Sequence, residues 1–310
     1  MHTPGHFYTI LTLCASSLLL AGCKQAAPYM PAYGHAPATS KAIPQFSFGV
    51  PPIRHVRSLW DRYQPLIQAL NTSNSSFNLK LESGQTPDTY DSKLRRGVLD
   101  FALVDPYQVL VSEYRGYSVI ARTGAQDRIR GVVIVARDGT IQRVRDLRSR
   151  SIAFTNSTAL SATLLNQYAL FQNGLDVRKR SVLLYTHSPE TSLLSVAFNR
   201  ADAAAVSASD WDEFRRDHLE AARRLIPLWQ TDDLSGPAVI ASRTISPLTV
   251  LSLQAALIRL HSQPDGRAAL QRAGVSEFRS GDNVSYDDIW DFLQRYEKTL
   301  GPLPDRAASR

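Results

Sequence analysis

From residue 46 onward, short apolar runs alternate with segments whose apolar residues recur at helical spacing, and this alternation constrains the chain more than any other feature. Residues 46–50 read as a strand that runs into Pro51 and Pro52. A helix follows, with Leu59, Trp60, Tyr63, Leu66, Ile67 and Leu70 on one face of a 3.6-residue period. Residues 77–81 alternate apolar and polar as a half-buried strand does, and a polar turn with Pro87 leads to a short helix ending at Arg95-Arg96-Gly97. Residues 101–104 are a buried strand closed by Asp105-Pro106-Tyr107, and residues 117–121 form the next. Strand and helix in strict alternation predict an α/β architecture, a mostly parallel sheet flanked by helices.

The pattern then repeats. Residues 131–136, Gly-Val-Val-Ile-Val-Ala, are the most apolar strand and are expected to mark a domain crossing. A second set follows: a strand at 151–154, a helix from Ala159 with Leu160, Leu164, Tyr168 and Phe171, then 182–186, 189–199 and 203–206. Residues 225–229 and 236–241 are read as the return crossing, and the remainder as helical, ending on a stripe of Tyr286, Ile289, Trp290, Leu293 and Tyr296. Residues 46–128 and 236–310 are thus expected to form one lobe and 129–235 a second. Two crossing segments leave a cleft and permit hinge closure. On such sheets ligands sit where loops leave the carboxyl ends of strands, here 51–54, 105–107, 156–158, 187–190 and 207–210. Thr155, Asn156, Ser157 and Thr158 stand where a helix starts. Such residues cap a helix, and the same amides suit an anion; both readings stay open.

The N-terminal segment sets the compartment. An apolar run over 7–21 is too short and too rich in Ser and Thr to span a bilayer, and it suits a secretory signal at 1–22. Leu20-Ala21-Gly22-Cys23 resembles the lipobox of bacterial lipoproteins, which implies lipidation of Cys23 as the first mature residue. No Lys or Arg precedes the apolar run, a departure from the usual signal. Cys14 would leave with the signal, so the mature body has neither a free thiol nor a disulfide. Residues 23–45, with recurrent Pro, Ala and Tyr and no period, read as a flexible tether. The expected location is the cell envelope, membrane-anchored and facing the periplasm or exterior.

Several segments, in order, resemble the phosphate/phosphite/phosphonate-binding proteins of ABC transporters, which have the type II periplasmic-binding-protein fold. They are Gly49-Val50-Pro51 with Trp60 and Pro65-Leu66, LRRGVLDFA at 94–102, GVVIVARD at 131–138 with VRDL at 144–147, DAAAV at 202–206 and PDGRAAL at 264–270. The resemblance spans residues 46–293. It implies a two-lobed receptor for a small oxyanion, with Asn156, Ser157, Thr158 and Ser161 at the family's hydroxyl-rich anion loop. The family's Ser-Thr-Ser-Gly is replaced here by Ala159-Leu160-Ser161-Ala162, and Ile129 stands near the place of its crossing-strand tyrosine. His187 keeps the family's histidine, implying an oxyanion donor, and Asp202 its acidic position, which serves an amino group on the ligand or caps the next turn. Arg54 follows the first strand, as an anion partner or as a solvated helix start, and Tyr107 completes the candidates.

The net charge of +7 favours an anionic ligand or surface. Two functions follow: delivery of an oxyanion to an ABC permease, or reporting of the ligand to a membrane sensor. No Gly-x-Ser-x-Gly or His-Glu-x-x-His motif occurs, so no catalytic residue, metal site or cofactor is expected. Export argues against nucleic acid as a partner.

Overall fold

The computed structural model describes residues 43–52 and 56–303. The signal segment, Cys23 and Arg54 lie outside them. Eleven strands are present among the described residues: β1 (Gln45–Gly49), β2 (Asn78–Glu82), β3 (Phe101–Val104), β4 (Tyr117–Thr123), β5 (Gly131–Ala136) and β6 (Ser151–Phe154), followed by β7 (Val182–Tyr185), β8 (Ala203–Ser207), β9 (Leu225–Gln230), β10 (Ala238–Ser242) and β11 (Phe278–Ser280). They form a six-stranded sheet in the order β11-β4-β10-β3-β1-β2 and a five-stranded sheet in the order β7-β6-β8-β5-β9. Helices flank both sheets, giving the two-lobed type II arrangement.

Strand direction is mostly parallel, as the alternation predicts, but the pairing is mixed. In the first sheet β1, β2, β3 and β4 run one way, and the returning β10 inserts antiparallel between β3 and β4. In the second, β5 alone runs against its neighbours β8 and β9. Both reversals fall on the first strand after a crossing, β5 on entry to the second lobe and β10 on return to the first, whereas the strands that leave each lobe, β4 and β9, run with the majority. The crossings themselves lie between β4 and β5 and between β9 and β10, so 131–136 and 225–229 belong wholly to the second sheet. The two segments pair with each other, Ile129 N–H to Leu234 O at 2.9 Å and Leu234 N–H to Ile129 O at 2.8 Å. Gly236 makes this approach possible, because an added Cβ would stand 2.1 Å from Asp127 O.

Other boundaries shift by a residue or two. Gln45, placed in the tether, opens β1, and Pro44 O already accepts from Asn78 N–H at 2.8 Å. The helix Val56–Thr72 buries Leu59, Tyr63, Leu66, Ile67 and Leu70, whereas Trp60 is 45% exposed. β11 escaped notice because three residues, Phe278-Arg279-Ser280, carry too little pattern; edge pairing to β4 makes them a strand.

Each sheet buries side chains on both faces, as helix-covered sheets do. One core of the first lobe joins Phe48, Leu66, Phe101 and Leu257, with Phe46 edge-on to Phe77 at 5.6 Å and to Phe101 at 5.9 Å. The other takes in Tyr90, Ile240, Ile289 and Phe292, and also Leu160, Leu164 and Leu165 from the second lobe. The apolar stripe after β6 therefore packs on the first lobe, with Tyr168 edge-on to Phe292 at 5.6 Å. Arg178 is not merely solvated: it donates to Leu300 O at the end of the last helix.

Candidate ligand cleft between the lobes

Three parallel neighbours, β7, β6 and β8, set the loops 155–159, 186–188 and 207–210 side by side at one edge of the second sheet. The first two loops are tied together, Thr186 N–H to Phe154 O at 3.0 Å and His187 N–H to Thr155 O at 2.8 Å. His187 has a φ of 60°, the left-handed region that a non-glycine residue rarely occupies. Ser149 and Asn199, away from these loops, share that conformation. The His187 ring is exposed and has no partner among the described residues.

Asn156 organises its own loop. Its Oδ1 accepts from Thr158 N–H at 3.0 Å, Thr158 Oγ1 at 3.2 Å and Ala159 N–H at 2.6 Å. Two of the amides expected to face an anion are thus satisfied from within, which is the cap reading realised. The Ser157 hydroxyl remains without a partner among the described residues, and the Thr155 hydroxyl oxygen is buried and unpaired. The helix expected from Ala159 opens instead with a π-helical turn, Leu160–Leu165, before the α-helix Asn166–Gln172. Buried Asn166 braces that turn, its Nδ2 reaching Ala162 O at 3.0 Å, Ser161 O at 3.2 Å and Val206 O at 3.3 Å. Gly131 lets β5 pass beneath, since a Cβ there would meet Ser161 O at 2.5 Å. Single π turns inside helices are common at functional sites, and this one places partly buried Ser161 beside the loop.

The third loop adds acid. Ser207 caps the helix Ala208–Asp217, accepting from Asp210 N–H at 3.0 Å and donating to Asp210 Oδ2 at 2.5 Å. Burial raises the Asp210 carboxyl above its ordinary range, and the Glu213 charge adds to this, while the Ser207 hydroxyl and Arg62 oppose it. Arg62 belongs to the first lobe and reaches Glu213 of the second at 3.8 Å. Also on the first lobe, Asp105 caps the helix Pro106–Glu113 through Gln108 N–H at 2.9 Å. Its side chain is open to solvent by surface area, yet desolvation by the surrounding protein pushes its carboxyl up to about 6. The hydrogen bond from Gln108 pulls the other way and the Asp91 charge adds to the rise. Tyr107 follows in the same turn, its ring packed on the core that includes Leu160.

Asn156, Ser157, Thr158, Ser161 and His187 are therefore brought to one edge, with Tyr107 at the corresponding strand ends of the first sheet. Asp202 is not. It precedes β8 instead of following it, so it stands at the opposite edge, accepting from Ser151 N–H at 2.8 Å and Ser151 Oγ at 2.7 Å, with Arg150 at 3.5 Å. A recess of about 200 Å³ opens beside it, lined by Thr140, Asn199 and Arg200, well away from the cleft loops. The loops expected to meet a ligand include Asp105 and Asp210, yet sequence reasoning singled out neither, and it passed over the Arg62–Glu213 pair. The capping signature Ser207-x-x-Asp210 directly after a strand was the available signal. Among the described residues no cluster of three or more His, Cys, Asp or Glu could hold a metal ion, and no helix is long and apolar enough to cross a membrane.

Two mixed sheets joined by paired crossings, with strand-end loops converging between them, define a ligand receptor of the type II binding-protein class. The sequence model described as "ABC transporter, phosphonate, periplasmic substrate-binding protein" matches residues 48–286, and the chain belongs to that family. It is 23% identical over 263 residues to the phosphonates-binding periplasmic protein of Escherichia coli K12, covering 81% of this chain and 75% of that one. The fold is shared with a binding protein component of an ABC phosphonate transporter from Pseudomonas aeruginosa, at a TM-score of 0.71 and 17% identity, over 83% of this chain and 87% of that one. It is shared as well with PhnD1 from Prochlorococcus marinus in complex with methylphosphonate, at a TM-score of 0.73 and 15% identity, over 82% and 98%.

Proposed function

We propose that the protein is a lipid-anchored solute-binding protein that captures a small oxyanion of the phosphonate, phosphite or phosphate type between its lobes for ABC-type import. The observation that carries this reading is the convergence of the unpartnered Ser157 hydroxyl and His187 ring at one edge of the second sheet. Both can donate to an anionic oxygen, and hydrogen bonds to charged groups are the strong ones. Ser161 completes the donor set, while Asn156 holds the loop in shape; the Thr158 hydroxyl joins the set only by turning its proton from Asn156 Oδ1 to the ligand. The ligand favours closure only through contacts it makes in the closed state alone. The paired crossings at Ile129 and Leu234 are the natural hinge. Cys23 is the lipid attachment point.

Thermal denaturation against a panel of phosphonates, phosphite, phosphate and sulfonates tests the ligand class. A ligand at a hundred times its Kd adds about 2.7 kcal/mol to the folded state, a rise of several degrees. A flat response across the whole panel overturns the reading. Cys23→Ser should leave the body folded but remove the acyl mass, which mass spectrometry of the membrane fraction checks.

A further inference from the structure

The edge of the first sheet that faces away from the cleft carries a surface that ligand capture leaves unused. The starts of β1, β3 and β4 meet there with the end of the reversed β10 and the last turns of the helices Pro87–Arg95 and Pro106–Glu113. Backbone contacts make it continuous. Ser242 N–H donates to Asp100 O at 2.8 Å and Arg243 N–H to Gly116 O at 2.8 Å. A Cβ on Gly97 would stand 3.9 Å from Arg115 O.

Four large apolar side chains project from this edge: Ile43 at 56% exposure, Val98 at 54%, Tyr114 at 75% and Leu248 at 80%. Scattered singly, such residues are ordinary. Here they are interleaved with Arg95, Arg96, Arg115 and Arg243, all exposed and none ion-paired among the described residues. Two acids share the edge. Asp100 spends its carboxylate on Ser47, at 2.8 Å from the N–H and 2.9 Å from the hydroxyl, and Glu113 is only partly exposed. The local charge is therefore positive. Residues 1–42 also join the fold here, through Ile43 and Pro44 at the start of β1.

We propose that this edge docks on an anionic lipid bilayer. The planar guanidinium fork suits phosphate oxygens, and an aromatic ring with a polar tip suits the headgroup level. Val98, Tyr114 and Leu248 enter the interface while the four arginines sit over the headgroups. The proposal goes beyond ligand capture and does not need the acyl chain, so the two can fail separately.

The test uses the full chain carrying Cys23→Ser, so that no lipid modification contributes. It is mixed with vesicles of phosphatidylglycerol and phosphatidylethanolamine, or of phosphatidylcholine alone. Amide hydrogen exchange should slow at 96–99, 113–116 and 243–251 on the anionic vesicles and stay unchanged at the cleft loops 155–159 and 186–188. In the same background Arg115→Ala with Arg243→Ala should weaken partition roughly twenty-five-fold, about five-fold per charge at an anionic surface. The apolar run at 7–21 is common to both chains and cancels. Equal partition of the two chains, equal protection on phosphatidylcholine, or protection at the cleft loops instead each overturns the proposal.

Discussion

Two serine–aspartate pairs stand at opposite ends of β8, and they differ in kind. At its start, Asp202 is held by Ser151 at 2.7 Å; just past its end, Asp210 is held by Ser207 at 2.5 Å. Desolvation is the largest influence on both carboxyls. At Asp202 it is outweighed by two hydrogen bonds from Ser151 and by Arg150, so the group is held below its ordinary range. At Asp210 the hydroxyl of Ser207 cannot offset burial beside Glu213, and the group is pushed up. An aspartate stabilised as its anion closes a structural corner. We read Asp210, under-compensated at a strand's carboxyl end, as part of the wall of the proposed cleft. Residue type and nearest partner are the same in both pairs; position relative to the strand direction separates them.

That contrast can be broken. The largest effect is expected from Ser157→Ala with His187→Ala, which should weaken affinity for the phosphonate found in the thermal panel at least a hundred-fold by calorimetric titration. Two hydrogen bonds to a charged group, at about 1.5 kcal/mol or more each, give that factor. Asp202→Asn should leave affinity within about two-fold, and an equal loss there would erase the distinction between the edges. Next, Gly236→Ala should cost about 2–3 kcal/mol in urea unfolding, because its Cβ meets Asp127 O at 2.1 Å and one crossing segment must move. Asp202→Ala, which orphans the Ser151 N–H and hydroxyl, should cost about 1–2 kcal/mol without touching ligand affinity. Because the Asp202 carboxyl is lowered, its contribution is present above about pH 4 and fades as pH falls below that.

The smallest effect is expected at Asp105. Its carboxyl, raised to about 6, binds a proton more tightly in the folded than in the unfolded chain, so stability falls as pH rises from about 4 through 6. Asp105→Asn keeps the helix cap and removes that slope, raising stability at neutral pH by about 1 kcal/mol or less after solvent screening. Unfolding curves of the two proteins at several pH values check it; parallel pH profiles would contradict the assignment.

Much of the fold was legible because burial on both sheet faces leaves uninterrupted apolar runs: 101–104, 131–136 and 203–206 all became strands within a residue of expectation. The antiparallel insertion of β10 was not legible, since a buried strand carries no mark of its direction. Nor was the π turn, which depends on Asn166 reaching back to carbonyls of its own helix and across to Val206. The loops following β6, β7 and β8 fall where strand order placed them, at the carboxyl ends of parallel neighbours. The role of Asn156 was blurred, because its side chain serves cap and cradle equally well until the amides of Thr158 and Ala159 are seen to be taken. Asp202 was grouped with the site by its place in a family motif, although it lies before its strand.

The most direct test of the account is a crystal structure of the full chain grown with the tightest-binding phosphonate. The account predicts the phosphonate oxygens within hydrogen-bond distance of Ser157 Oγ and a His187 ring nitrogen, between the two lobes. Ligand density in the recess beside Asp202 and Arg200, with the loops at 155–159 and 186–188 empty, would contradict it.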